Sequence, residues 1–71
     1  MTTTSKNMNA NQLINALINA EMRLGPCDTQ NMIRAERMTL QVALSDGSTA
    51  KQIGEVMTEA KRVAEMWGVE L

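Results

Sequence analysis

Apolar positions recur every three to four residues in three stretches of the chain, and polar, turn-forming residues separate the stretches. That spacing marks helices with a buried face. The first stretch runs from about Ala10 to Leu24 and carries the doubled unit LINALINA at residues 13–20. Four residues span slightly more than one helical turn, so a repeated tetrad stacks on itself with a small drift. Leu13, Leu17, Ala20 and Leu24 form one row, and Ile14, Ile18 and Met22 form a second beside it. Gln12, Asn15, Asn19 and Arg23 make a polar strip. The repeat therefore writes two apolar ridges and one polar ridge, the pattern of a helix gripped by two neighbours. Asn9 or Asn11 is placed to cap this helix.

Gly25-Pro26 ends the first helix, because Gly suits the position after a helix and Pro cannot continue one. Asp28 or Thr29 is then the expected cap of a second helix, from about Thr29 to Ser45. Its polar strip is Arg34, Arg37, Gln41 and Ser45; Ile33, Leu40 and Leu44 lie on one apolar flank, and Ala35, Met38 and Val42 on the other. Asp46-Gly47 makes the next turn, and Ser48 or Thr49 caps a third helix from about Thr49 to Trp67, with Gln52 completing a capping box. Ile53, Val56, Met57, Ala60, Val63, Ala64 and Trp67 share one face of it, so Val63 and Trp67 are expected to be buried. Its other face offers Lys51 with Glu55, Glu59 with Arg62, and Lys61 with Glu65 at pairing distance. Residues 1–8, MTTTSKNM, lack any period and are expected to form a disordered tail, leaving 9–71 as a single helical domain. Short turns place consecutive helices antiparallel. The expected fold is all-α: a small three-helix array, a helical hairpin with a third amphipathic helix packed across it.

Two carboxylates interrupt the apolar pattern. Glu21 falls between the ridges of the first helix, and Glu36 falls inside the apolar arc of the second. The simpler expectation is that both sit at a helix edge and reach water. The alternative is that each meets Arg or Lys from another helix, since carboxylates are rarely buried unpaired.

Composition narrows the picture. A chain of 71 residues buries only about 60% of its unfolded surface and has a marginal core. Such small scaffolds usually need a staple. Cys27 is the only cysteine, so it has no partner within the chain, and the absence of histidine argues against a structural zinc site. Packing, self-association or both must supply stability. Trp67 is the only aromatic residue, and seven methionines make the apolar set soft and adaptable. The net charge of −1 and pI near 5.2 argue against a basic nucleic-acid footprint. No 18-residue apolar run and no apolar leader occur, so the protein is expected to be cytoplasmic, with Cys27 a free thiol that plays no structural part.

Catalysis is not expected. Histidine, the commonest general base, is absent, no nucleophile stands beside a base, and the isolated glycines form no phosphate loop. No metal or cofactor is expected either. At the C-terminus, Val63, Ala64, Gly68 and Val69 in VAEMWGVEL (residues 63–71) resemble the V-A-x-x-x-G-V pattern that closes the first helix of the bacterial helix-turn-helix. That resemblance covers nine residues and implies DNA reading only if a recognition helix follows. For residues 63–71 themselves the expectation is a helix end, with Gly68 left-handed and Val69 packing back on the last turn.

These features point to a small non-enzymatic helical protein that binds another protein, as an adaptor, inhibitor or antirepressor-like regulator. In size and composition it resembles phage or bacterial accessory proteins. The first two helices spread apolar residues over about 240° each, more than the third helix, with about 140°, can cover. The uncovered remainder is the expected partner or homodimer surface: Ile14, Ile18 and Met22, with Met38 and Val42. Two alternatives stand beside this. One is a DNA-binding regulator that uses Arg34, Arg37 and Gln41; the other is a purely structural oligomer subunit.

Overall fold

Helix starts in this chain are decided by single side chains that accept from the unpaired first N–H groups. The computed structural model describes residues 8–71 and contains α1 (Ala10–Leu24), α2 (Asp28–Ser45) and α3 (Ala50–Met66). No strand occurs among the described residues. Asn9 caps α1: its side chain accepts from the Gln12 N–H at 2.8 Å, and the Asn9 N–H donates to Gln12 Oε1 at 2.9 Å. Thr49 and Gln52 make the same reciprocal pair at the start of α3. At α2 the cap differs from expectation. Cys27, not Asp28 or Thr29, holds the position, and its Sγ accepts from the Gln30 N–H at 3.3 Å. The Gly25-Pro26 turn delivers Cys27 in extended conformation, so the helix begins one residue early. Asp28 then lies in the first turn, where its charge suits the positive end of the helix. The thiol is exposed, so Cys27 has a local structural role without being packed.

Helix ends follow the glycines. After α2 the Ser48 N–H donates to the Ala43 carbonyl at 3.1 Å; after α3 the Val69 N–H donates to Ala64 at 2.8 Å and the Gly68 N–H to Glu65 at 3.0 Å. The last two bonds make up the Schellman closure. Gly25 does something different. Its φ of 69° and ψ of −178° lie in a region open in practice only to glycine, and the extended ψ is what Pro26 demands of the residue before it.

The core draws on all three helices. Leu13, Leu17, Ile33 and Leu40 are fully buried, and Ala20, Ala60 and Ala64 let the helices approach closely around them. α2 packs on both of its neighbours, whereas α1 and α3 scarcely touch. The first and last of the described residues cover the core between them. Val69 and Leu71 pack onto it from the C-terminus, Met8 and Ala10 from the N-terminus, and Arg23 Nη2 donates to the Glu70 carbonyl at 3.4 Å. Met8 therefore belongs to the folded part; the rest of the expected tail, residues 1–7, lies outside the described residues. The envelope measures 31 × 29 × 18 Å.

Trp67 departs from the expected pattern. Val63 is buried, but Trp67 is 44% exposed. α3 stops at Met66, and the reversal at Gly68 brings Val69 and Leu71 over the core where the indole was expected. Among the described residues no helix is long and apolar enough to cross a membrane.

Two stability tests follow. Leu17→Ala removes a fully buried side chain and is expected to cost about 2–5 kcal/mol. Trp67→Ala is expected to cost about 1 kcal/mol, in the range of partly exposed positions. Urea titrations followed by circular dichroism compare the two, and equal losses would contradict the placement of Trp67. Gly25→Ala meets no neighbouring atom, so its expected loss of about 1–3 kcal/mol is entirely a backbone effect. The same titration reads it, and an unchanged midpoint would contradict the assigned conformation.

Candidate functional site

α2 presents two polar or apolar surfaces of different character, one turned to its neighbours and one to solvent. The inward polar cluster centres on Glu21 of α1, which is only 6% exposed. Its Oε1 accepts from Arg34 Nε at 3.2 Å and from Arg37 Nη2 at 3.0 Å, and its Oε2 accepts from Arg37 Nε at 2.5 Å. Arg37 Nη1 donates onward to Gln41 Oε1 at 2.8 Å. The Glu21 backbone carbonyl also receives Gln30 Nε2 at 2.9 Å. Thus one residue near the end of α1 is held by four side chains or their network along α2. No buried side-chain nitrogen or oxygen among the described residues lacks a partner.

This geometry settles the two carboxylates in opposite ways. The Arg37 hydrogen bonds, opposed by burial and reinforced by Arg34, hold the Glu21 carboxyl below the usual glutamate range. The Glu21 hydrogen bond in turn raises Arg37. Glu21 is therefore not an edge residue reaching water; it meets cations from another helix. Glu36, half-buried on the side of α2 that faces α3, has no such partner. Burial pushes its carboxyl up, the charge of Glu59 adds to this, and Arg62 offsets part of it. Arg62 is engaged elsewhere, in a two-point ion pair with Glu59, with Nη2 to Oε2 at 2.6 Å. That is the one expected pair of α3 that forms: Lys51–Glu55 and Lys61–Glu65 make no ion pair.

The residues expected at a partner surface divide sharply. Ile14 is buried in the core, and Ile18 is half-buried against it. Met22, next in the same row, is 75% exposed but stands beside the asparagine strip. The α1 row therefore fans from core to solvent along the helix and forms no continuous surface. Met38 and Val42 are 52% and 55% exposed on the outward face of α2. Ala35, also exposed, extends that stripe by one turn. The spacing of three and seven residues to Met38 and Val42 puts Ala35 on their flank in the sequence, although the expected partner surface did not include it. Arg34, Arg37 and Gln41, the alternative nucleic-acid set, are brought together at the α1–α2 contact. There Arg34 and Arg37 already bind Glu21, and a phosphate would have to compete with that carboxylate. Among the described residues no group of three or more His, Cys, Asp or Glu side chains is arranged to hold a metal ion. No protein-family model, curated protein sequence or solved structure matches the chain.

The two carboxylates give a paired pH test. Glu21 has a depressed folded-state pKa, so its contribution is present above the ordinary glutamate value and is lost as pH falls through the depressed one. Glu36 has a raised folded-state pKa, so the fold binds its proton more tightly than the unfolded chain does, and its ionisation destabilises as pH rises through that window. Arg37→Ala is expected to cost about 1.5–3 kcal/mol at pH 7, the range for hydrogen bonds to a charged group. Glu36→Gln is expected to raise the melting temperature at pH 7 and to lose this advantage near pH 4. Thermal melts across pH 3–8 check both, and shifts of the same sign would contradict the assignment.

Proposed function

We propose that the protein is a non-enzymatic helical module of the cytoplasm that binds another protein through the outward face of α2, acting as an adaptor, inhibitor or antirepressor-like regulator. The observation that carries this reading is the stripe of Ala35, Met38 and Val42, exposed on the one helix that already serves both neighbours. An amphipathic helix buries its apolar stripe, and this stripe lies opposite the buried Ile33 and Leu40 of the same helix. Apolar anchors spaced three and four residues apart are the usual currency of helix recognition, and methionine suits a surface that adapts to its partner. α1 contributes less to this surface than its two ridges promise, because Ile14 and Ile18 are used inside.

The reading is tested by affinity capture from a lysate of the source cell. Met38→Asp and Val42→Asp lie on the surface and are expected to leave the helical circular dichroism spectrum unchanged. Each is expected to lower capture of any specific partner at least about tenfold, since a desolvated apolar anchor is worth more than 1.4 kcal/mol. Equal capture by wild type and both variants would overturn the assignment of this face.

A further inference from the structure

The outward face of α2 has a period that its three apolar residues alone do not reveal. Asp28, Asn31, Ala35, Met38, Val42 and Ser45 are all exposed and are spaced by alternating steps of three and four residues over the whole helix. This is the spacing of a two-helix seam, in which residues at alternate a and d positions meet a facing helix. We propose that the occupant of this seam is a second copy of the chain, with α2 packed antiparallel on α2 of the partner about a two-fold axis between Glu36 and Arg37. The proposal rests on the reading of this face as a protein-binding surface and names its partner.

The seam fits itself in one direction. In an antiparallel pair, a positions face d positions. When the two helices overlap over all 18 residues, Ala35 faces Met38 of the partner subunit and Asn31 faces Val42 of the partner subunit. The smallest side chain thus lies opposite the longest, on both sides of the axis, which is what close packing of two helices requires. The outermost layers place Asp28 opposite Ser45 of the partner subunit, and the four central positions of the seam carry no charge. Arg34, on the flank, lies near Gln41 of the partner subunit and is held by its ion pair with Glu21. The parallel arrangement fails on the same residues. It sets Asp28 against Asp28 of the partner subunit and Ala35 against Ala35 of the partner subunit, which joins like charges and leaves a gap beside two facing methionines. A self-complementary patch is what a symmetric dimer needs, and this dimer would supply the staple that so small a core lacks.

The test uses the full chain and its own single cysteine. Sedimentation at about 100 μM is expected to give a dimer. Met38→Asp, with an unchanged helical spectrum, is expected to weaken association about 100-fold by placing a carboxylate in each of the two central layers. Ala35→Leu overfills the space opposite Met38 of the partner subunit and is expected to weaken association as well, whereas in a parallel pair it would fill a gap and strengthen it. Spin labels on Cys27, at opposite ends of the paired helices, are expected about 28 Å apart by helix rise. A monomeric wild type, an Ala35→Leu dimer tighter than wild type, or labels closer than about 15 Å would overturn the proposal. The lysate comparison reads the face separately: a monomer whose capture still depends on Met38 refutes the second copy and leaves the broader binding reading standing.

Discussion

A carboxylate can leave water only where cations and donors replace it, and Glu21 imposes that condition on the contact between α1 and α2. It sits between the two ridges of α1, so burying it fixes how that helix is rolled. The Leu13–Leu17–Ala20 row then faces the core, and the Ile14–Ile18–Met22 row turns progressively outward. On α2, Arg37 must point toward Glu21, which places Ile33 and Leu40 inside and Ala35, Met38 and Val42 outside. The solvent face of α2 is thus a consequence of an ion pair on its other side. Both flanks of α2 carry apolar residues, and the Arg37–Glu21 pair acts together with the burial of Ile33 and Leu40 in holding one of them inside.

The other contact of α2 has no equivalent lock. Glu36 faces α3 without a hydrogen-bond partner, and Arg62, whose charge offsets part of its burial, is committed to Glu59. The α1–α2 contact is therefore specified by a directional polar network, whereas α3 brings the buried small residues Ala60, Val63 and Ala64 to its apolar face. Polar networks define register at some cost in desolvation, whereas close apolar packing contributes stability with less directional information. This chain uses each device once, on opposite sides of the same helix.

The helices and their limits were legible in the sequence because the signals that set them are local. The 3.6-residue period, the Asn9–Gln12 and Thr49–Gln52 capping pairs, and the Gly25-Pro26 and Asp46-Gly47 turns each act within a few residues. What was not legible depended on other elements. Both ridges of LINALINA are apolar and both enter the core, with Ile14 buried beside Leu13 and Leu17; that Met22 turns out to solvent while Glu21 is buried depends on Arg34 and Arg37, thirteen and sixteen residues away in α2. Trp67 is the largest apolar side chain of the expected third helix, yet α3 stops at Met66 and the reversal at Gly68 brings Val69 and Leu71 onto the core in its place. Cys27 was missed as a cap because sulfur is a weak acceptor and better caps follow it. Of the expected partner surface, Met38 and Val42 stand exposed, while Ile14 was claimed by the core.

The arrangement of contacts also bears on how the chain folds. α1 meets α2 and α2 meets α3 across connections of three and four residues, while α1 and α3 scarcely touch. Little loop entropy has to be spent before neighbouring helices meet, and chains with such local topology reach the native state in microseconds to milliseconds. Either hairpin can form first, since both are built on α2. The contacts most distant in sequence are those of Val69 and Leu71 with the core and of Glu70 with Arg23.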